Sequence, residues 1–227
     1  MRMRLVLMIA LACLLPRVAQ ADDLLAKLAR SAPDLDRKVL ALALQARACA
    51  LASGQYGAAT RLAVIDYSQP STQKRLWVFD VARKRLLYAE HVAHGRGSGG
   101  DLATAFSNVE GSYQSSLGLF AAAETYTGEN GYTLRLDGLE PGINDRARER
   151  LLVIHGADYV DPVQARKQGR LGRSWGCPAV RRAVAAGVID SLKHGQLVFA
   201  YANVASWLDG SRLLHCGHAQ GDAGAAR

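Results

Sequence analysis

A histidine and a cysteine in suggestive local settings are the residues of this sequence best suited to chemistry. His155 ends the apolar run 151–155 and precedes Gly156, a residue that lets other chain approach closely. Cys177 follows within the segment 172–178. Strand ends and the loops beyond them are where a scaffold presents reactive groups. The pair predicts a cysteine nucleophile with a histidine base; the alternative is a buried structural cysteine and an unrelated surface histidine.

The residues around Cys177 predict how its thiol would be activated. Pro178 suits a first helical turn, residues 179–186 are mostly alanine, valine and arginine, and Gly187 can end a helix. We therefore expect Cys177 at a helix N-terminus, where the dipole and a nearby imidazole lower a thiol pKa. The backbone N–H groups of Gly176 and Cys177 are expected to point into the same space and to stabilise a developing oxyanion.

The paired motifs resemble the signature of the L,D-transpeptidase catalytic domain. That signature is His155-Gly156 followed by Ser174-x-Gly176-Cys177. In their fuller forms, HGADYV at 155–160 and GRSWGCPA at 172–179, they are similar to murein L,D-transpeptidase catalytic-domain proteins. Four further segments share the resemblance: 92–95, 106–108, 115–118 and 136–140. It extends over roughly residues 60–201, and the paired motifs are specific.

The resemblance implies chemistry on peptidoglycan stem peptides. The cysteine attacks the carbonyl between an L-configured diamino-acid centre and a terminal D-alanine, D-alanine leaves, and the thioester passes to an amine of a neighbouring stem. On this resemblance Cys177 is the nucleophile, His155 is its base, and Gly156 orients the imidazole through its carbonyl. The residues expected to shape the oxyanion loop are Ser174, Trp175 and Gly176.

Two positions depart from the commoner family pattern. Trp175 stands where many members have a second histidine, and Pro178-Ala179 replaces the residues that usually lead to an arginine or asparagine. The substrate carboxylate must then be bound differently. Arg173 and Arg181 are the nearest candidates, because guanidinium holds carboxylate bidentately, although either could be a solvated surface charge.

Other candidate ligand-binding residues are weaker. The resemblance places His94 near the active site, so we expect it, like Tyr159 of the histidine motif, to contact substrate; a structural role is the alternative for His94. Residues 95–100 satisfy G-x-G-x-x-G, but no convincing helix follows, and a flexible loop is predicted. The potential metal ligands at 215–218 are bunched without a second half, so neither metal nor cofactor is expected.

The elements that must position these residues are mostly strands. Short apolar runs separated by turn residues fall at 62–67, 76–81, 86–93, 132–136, 151–155 and 196–201. They predict a mainly β catalytic domain over 56–210, a β-sandwich or mixed, partly closed sheet. Residues 22–55 predict a helical segment capped by Ser31, with Cys49 on its apolar face. A polar, loosely held tail is expected over 211–227.

The first 21 residues predict an export signal. Arg2 and Arg4 precede an apolar stretch, and Ala19-Gln20-Ala21 follows. Cys13 as a lipid-attachment site is the alternative. No later segment is long enough to insert stably in a membrane. We therefore expect an exported protein of the periplasm or cell envelope.

Removing residues 1–21 changes what charge and cysteine content imply. The formal charge falls from +8 to +5, because three arginines and no acid are lost. Three cysteines remain; a Cys49–Cys216 disulfide would leave Cys177 free, but sequence cannot establish that pairing.

Peptidoglycan is the expected anionic partner, and nucleic acid is not, because the basic residues are scattered without aromatic interleaving. An L,D-carboxypeptidase or endopeptidase and a non-catalytic wall-binding module are the alternative functions. The acceptor, the crosslink type and the oligomeric state stay open.

Overall fold

The computed structural model describes residues 20–57 and 59–216. The predicted signal peptide lies outside this part except for its last two residues, and so does the chain beyond Cys216. The helices are α1 (residues 20–31), α2 (Arg37–Ala52), α3 (Pro162–Gln168), α4 (Arg182–Leu192), α5 (Ala205–Gly210) and α6 (Arg212–His215). Within the described residues, none of these helices combines the length and apolarity that crossing a membrane requires.

Nine strands form one mixed sheet in the order β3-β2-β1-β9-β5-β6-β7-β8-β4. Their bounds are β1 Arg61–Asp66, β2 Leu76–Asp80, β3 Arg85–Glu90, β4 Val92–Ala93, β5 Gly118–Gly128, β6 Gly131–Gly138, β7 Val153–Ala157, β8 Ala179–Arg181 and β9 Leu197–Tyr201. The β1–β9 and β7–β8 pairs are parallel and the other neighbours are antiparallel. The predicted mainly β domain with a mixed sheet is confirmed.

The core lies where helices cover the central strands. Strands β2, β7 and β9 are buried along their whole length, and β1 is buried except at its first residue. Such strands read as continuous apolar runs because both faces are covered. Helix α2 packs on β1 and β9, while α4 packs on β7, β1 and β6.

The longest strand, β5, was not predicted. Its first five residues are buried, but the run 121–123 is all alanine, a residue with low β propensity. Beyond Ala122 the register with β6 shifts and β5 becomes mostly exposed, and the hairpin closes between Gly128 and Gly131. This hairpin brings residues distant in sequence to the candidate site described below.

The segment after Cys177 differs from the prediction. A helix N-terminus was expected there, but residues 179–181 form strand β8 and α4 begins only at Arg182. The helix also runs through Gly187 to Leu192. Local propensity favoured helix at Ala179, but pairing with both β7 and β4 makes this short stretch a strand.

The N-terminal helical segment consists of two helices. Ser31 does not cap a helix N-terminus: it ends α1, and its hydroxyl donates to the Leu28 carbonyl at 2.8 Å. Asp36 caps α2 instead, accepting from the Lys38 N–H at 2.6 Å. Cys49 lies buried on the inner face of α2, as predicted.

Residues 211–216 are not loosely held. Ser211 and Leu214 are buried, and Cys216 forms a disulfide with Cys49 that spans 167 residues of sequence. Helix α6 thereby lies against α2. The contacts come from a hydroxyl, one leucine and a covalent bond, none of which raises the apolar character of the sequence enough to signal burial. The remainder of the predicted tail, 217–227, lies outside the described residues.

Candidate active site

A cavity of about 730 Å³ opens beside β7 and contains both predicted catalytic side chains. Its walls come from β7, the β5–β6 hairpin end, the segment 111–113 and the segment 173–177. The lining residues are Gly111, Tyr113, Tyr126, Gly128, Glu129, Asn130, Arg150, Leu151, Val153, His155, Tyr159, Arg173, Ser174, Trp175 and Cys177. This volume is typical of small-ligand sites.

The β7–β8 register brings His155 and Cys177 together. His155 lies in the middle of β7, not at its end, and pairs with Ala179 of the parallel strand β8. Cys177 stands two residues before Ala179, in the turn that enters β8. Parallel pairing therefore carries the cysteine to the same side of the sheet as the cavity that His155 lines.

The imidazole of His155 is held in one tautomer. Its Nδ1 lies 3.1 Å from the carbonyl oxygen of Gly156, which can only accept a hydrogen bond. Nδ1 therefore carries the proton, and Nε2 has a free lone pair. Burial lowers the pKa of His155 below its usual 6.5, although the Gly156 carbonyl acts in the opposite direction. At neutral pH this side chain is an uncharged base.

The thiol of Cys177 is protonated in the resting state. Its Sγ lies 3.6 Å from the carbonyl oxygen of Leu151, to which it donates. Burial raises the pKa of Cys177, while the backbone of Val153 and the charge of Arg150 act to lower it. The expected helix dipole does not contribute, because α4 starts five residues later.

Gly156 is required by the packing of α4 against β7. A Cβ on this residue would lie 2.9 Å from the Ala185 Cβ and 3.2 Å from the Arg182 Cα. Both distances are shorter than ordinary van der Waals contact. The glycine thus lets the helix approach the strand that carries His155, the close approach that the sequence predicted.

Ser174 organises the loop before Cys177. Its hydroxyl donates to the Cys177 carbonyl at 2.6 Å and accepts from the Gly176 N–H at 3.1 Å. The Gly176 N–H, which was expected to be an oxyanion donor, is therefore bonded to the Ser174 hydroxyl in this structure. In the part of the chain that is described, the N–H groups of Trp175 and Cys177 have no hydrogen-bond partner.

An exposed aromatic pair forms one rim of the cavity. Trp175 is 73% exposed and its indole makes an edge contact with Tyr113, the ring centroids being 5.9 Å apart. The guanidinium of Arg96 lies 4.0 Å from the Tyr113 ring centroid. Arg96 does not line the cavity, so it supports Tyr113 from outside while both rings stay open to a ligand.

Arg173 and Tyr159 both line the cavity, as expected of ligand contacts. Nη1 of Arg173 donates to the Gly99 carbonyl at 2.7 Å, which fixes the side chain. The Tyr159 ring makes an edge contact with His155 at a centroid distance of 6.5 Å. Burial raises the pKa of Tyr159, so the phenol is neutral at pH 7.

His94 and Arg181 are not brought to the cavity. His94 is 1% exposed, and its Nδ1 lies 2.7 Å from Nη2 of the buried Arg75. The structure gives it the structural position that was the alternative to substrate contact. Arg181, which does not line the cavity, forms a bidentate ion pair with Glu90 at 2.9 and 2.7 Å. Its donors are directed to that carboxylate.

The glycine-rich loop at 95–100 packs closely and has no nucleotide-binding geometry. A Cβ on Gly95 would lie 2.3 Å from the Tyr113 carbonyl oxygen, and Gly95 forms a parallel bridge with Ser174. The Ser98 N–H donates to the Gly95 carbonyl. The loop is a support for the segment before Cys177. No group of three or more potential metal ligands occurs among the residues described.

Two of the lining residues that sequence reasoning missed have unusual backbone conformations. Leu151 and Tyr113 both adopt positive φ, at 55° and 53°, a conformation that costs a non-glycine residue about 1 kcal/mol or more. Each aims a carbonyl at a partner: Leu151 at the Cys177 thiol and Tyr113 at the Gly97 N–H. Backbone strain of this kind leaves no signal in residue type.

These features place a cysteine thiol and a neutral histidine in one cavity on a mixed β-sheet. The sequence matches the L,D-transpeptidase catalytic domain family over residues 31–201. The chain belongs to that family, as its motifs predicted. No curated protein matches the sequence.

Among solved structures, similar folds include an L,D-transpeptidase from Mycobacterium smegmatis, with 16% identity and a TM-score of 0.39. The alignment covers 63% of this chain and 59% of that one. Another is the helical cell shape determining protein Pgp2 from Campylobacter jejuni, with 12% identity, coverage of 64% and 48%, and a TM-score of 0.41. This chain therefore spans less than two thirds of the length of either structure.

Proposed function

We propose that this protein is an exported peptidoglycan L,D-transpeptidase that transfers an acyl group through a Cys177 thioester. The observation that carries the proposal is one cavity lined by the thiol of Cys177 and by His155, whose tautomer leaves Nε2 free to accept a proton. The family match over residues 31–201 supports the same chemistry.

The resting pair is a neutral thiol and a neutral imidazole. Burial moves the pKa of Cys177 upward and that of His155 downward, so the proton stays on sulfur. His155 Nε2 then acts as a general base that takes the proton as sulfur attacks the substrate carbonyl. The Gly156 carbonyl stabilises the resulting imidazolium through its hydrogen bond to Nδ1.

The loop before Cys177 supplies the groups that would stabilise the oxyanion. The N–H groups of Trp175 and Cys177, which have no partner among the described residues, are the candidate donors, and the Ser174 hydroxyl bonds the backbone of Gly176 and Cys177. Backbone donors fixed before the reaction stabilise developing charge without reorganisation. The glycine at 176 is needed here because its φ is +129° and an added Cβ would lie 2.9 Å from the Gln114 carbonyl oxygen.

The proposed acyl transfer takes place in two steps. In the first, the sulfur–carbon bond forms, the carbon–nitrogen bond to D-alanine breaks, and the His155 imidazolium gives its proton to the leaving amine. In the second, an acceptor amine attacks the thioester, His155 takes the amine proton, and that proton returns to sulfur as Cys177 leaves. Water in place of the amine gives hydrolysis, and the open cavity of about 730 Å³ admits either acceptor.

The cavity walls suit an anionic peptide. Arg173 is held with one donor on Gly99, which leaves its other N–H groups free for a carboxylate in the part of the chain described. The Trp175–Tyr113 rim offers apolar faces for the aliphatic parts of a stem peptide. Tyr159 lies beside His155 and limits the space around the imidazole.

Export to the periplasm or cell envelope belongs to the same proposal. The signal pattern in residues 1–21 supports it. The Cys49–Cys216 disulfide supports it as well, because disulfides persist in oxidising compartments. A fusion of residues 1–21 to a reporter that is active only after export tests this part; a reporter confined to the cytoplasm contradicts it.

The activity is tested with purified tetrapeptide stems and mass spectrometry. Release of D-alanine together with a crosslinked dimer is the expected result, and Cys177→Ala and His155→Ala should each abolish it. Tripeptide without dimer would replace transpeptidation by hydrolysis. If wild type and Cys177→Ala give the same products, the enzyme proposal is wrong.

A further inference from the structure

Arg150 is a half-buried arginine whose guanidinium spans one wall of the cavity. It makes four hydrogen bonds to a single segment of chain. Nη1 donates to the Ser107 carbonyl and the Ser116 hydroxyl, and Nη2 to the Ser112 hydroxyl and, at 2.7 Å, the Gln114 carbonyl. The segment 107–116 contains neither helix nor strand, and these four bonds add to the other hydrogen bonds that fix its conformation.

The segment that Arg150 holds is the support for the loop that ends at Cys177. Ser115 donates from its hydroxyl to the Gly176 carbonyl at 2.9 Å and accepts from the Gly95 N–H at 3.0 Å. The Gln114 carbonyl, itself bound by Arg150, lies where any side chain at Gly176 would collide. Displacement of residues 114–115 would therefore move the backbone immediately before the nucleophile.

The backbone of Arg150 leads directly to the other contact of the thiol. Leu151 follows in the left-handed conformation, and its carbonyl accepts from Cys177 Sγ. Arg150 thus touches the site from two sides: its side chain supports the Cys177 loop, and its position in the chain places the Leu151 carbonyl. Because the Arg150 side chain is bonded at four points, the backbone next to it is held, and Leu151 stays in its strained conformation.

Arg150 is also the cation that acts on Cys177. Of the other titratable groups near the thiol, His155 is neutral, and burial raises the pKa of Tyr67 to about 12 and also raises the pKa of Tyr159. Neither phenol is charged at pH 7. Burial lowers the pKa of Arg150, but the charge that Cys177 gains as a thiolate opposes that shift.

Arg173 lines the same cavity, but its Nη1 donates to the Gly99 carbonyl and not to the segment 107–116. The two arginines therefore hold different segments beside Cys177.

We propose that Arg150 is a positioning residue: its guanidinium fixes the segment 107–116 behind the Cys177 loop, and its charge favours the thiolate as it forms. The inference rests on the proposed function only in taking Cys177 as the nucleophile. No sequence motif singled out this residue, because its partners lie 34–43 residues away in the chain.

The test is the pH dependence of Cys177 alkylation by iodoacetamide, with the modified peptide quantified by mass spectrometry. Arg150→Gln removes the charge and should move the alkylation midpoint upward by about 1 pH unit, the lower end of what loss of a nearby opposite charge produces. Arg150→Lys keeps the charge and loses the planar fork. Its midpoint should stay near that of the wild type, while the rate of D-alanine release falls at least tenfold.

Arg146→Gln is the matched control, because the side chain of this exposed arginine pairs with Glu149 in the described part of the chain and does not line the cavity. Its alkylation profile should coincide with that of the wild type. A folded Arg150→Gln protein with the wild-type profile overturns the charge role. If Arg150→Gln does not fold, Arg150→Lys decides: a raised midpoint or undiminished turnover contradicts the proposal.

Alkylation needs no peptidoglycan, so it separates this inference from the proposed activity. If the Arg150 profiles differ as expected but no stem peptide is processed, the proposed function fails and the positioning role stands. If stems are processed but the profiles coincide, the reverse holds.

Discussion

Lowering the pH from 7 to 5 should destabilise the fold through His94. Arg75 can only donate, so the Nδ1 of His94 at 2.7 Å from it must be an unprotonated acceptor. Burial, followed by the charge of Arg75, lowers the pKa of His94 to about 4. In the unfolded chain His94 binds a proton near pH 6.5, whereas in the folded chain it binds that proton only near pH 4. Stability therefore falls as the pH falls through this window.

The size of the effect follows from the two pKa values. A shift from 6.5 to about 4 is worth about 3 kcal/mol once both states are protonated, and about 2 kcal/mol is lost by pH 5. Equilibrium urea unfolding of the disulfide-intact protein at pH 7 and pH 5 measures this loss. His94→Asn is the matched variant, since its amide oxygen can still accept from Arg75 and does not titrate.

The comparison with His94→Asn separates the effect of His94 from that of two other histidines, which act in the same direction. Burial also lowers the pKa of His91 and of His155, and both contribute equally to the wild type and to His94→Asn. The wild type should lose about 2 kcal/mol more than the variant between pH 7 and pH 5. Equal losses in the two proteins would refute the assignment of His94 as a neutral, buried partner of Arg75.

Three further outcomes are expected from the same structure. Gly156→Ala places a Cβ 2.9 Å from the Ala185 Cβ and should lower the free energy of unfolding by about 1–3 kcal/mol. Urea unfolding measures this loss, and an unchanged midpoint would show that α4 can move away from β7. Reducing the Cys49–Cys216 disulfide should lower stability by about 2–5 kcal/mol, because it closes a loop of 167 residues, and Cys49→Ser with Cys216→Ser should match the reduced protein. Trp175→Ala should leave thermal stability within about 0.5 kcal/mol, since the side chain is 73% exposed, yet raise the KM for stem peptides; an unchanged KM would argue against the aromatic rim as a substrate contact.

The sequence was sufficient for features encoded in short patterns. Apolar runs predicted six of the strand regions, and β1, β2 and β9 match within a residue or two, because buried strands carry their signal locally. The motifs around His155 and Cys177 predicted the family. Strand β5 was missed since its alanines lack β propensity, and β8 was mistaken for helix since only its partners make it a strand.

In the site, residue identity could be predicted from the motifs, but protonation and contacts depend on the tertiary structure. The motifs identified His155, Cys177 and Gly156, because the chemistry of the first two and the close packing at the third depend on residue type. Which nitrogen of His155 carries the proton depends on the Gly156 carbonyl, and the direction of both pKa shifts depends on burial. His94, expected at the substrate, is instead sealed against Arg75. Arg150 emerges only when segments 34–43 residues apart meet, since hydrogen bonds and charges act through space and not along the chain.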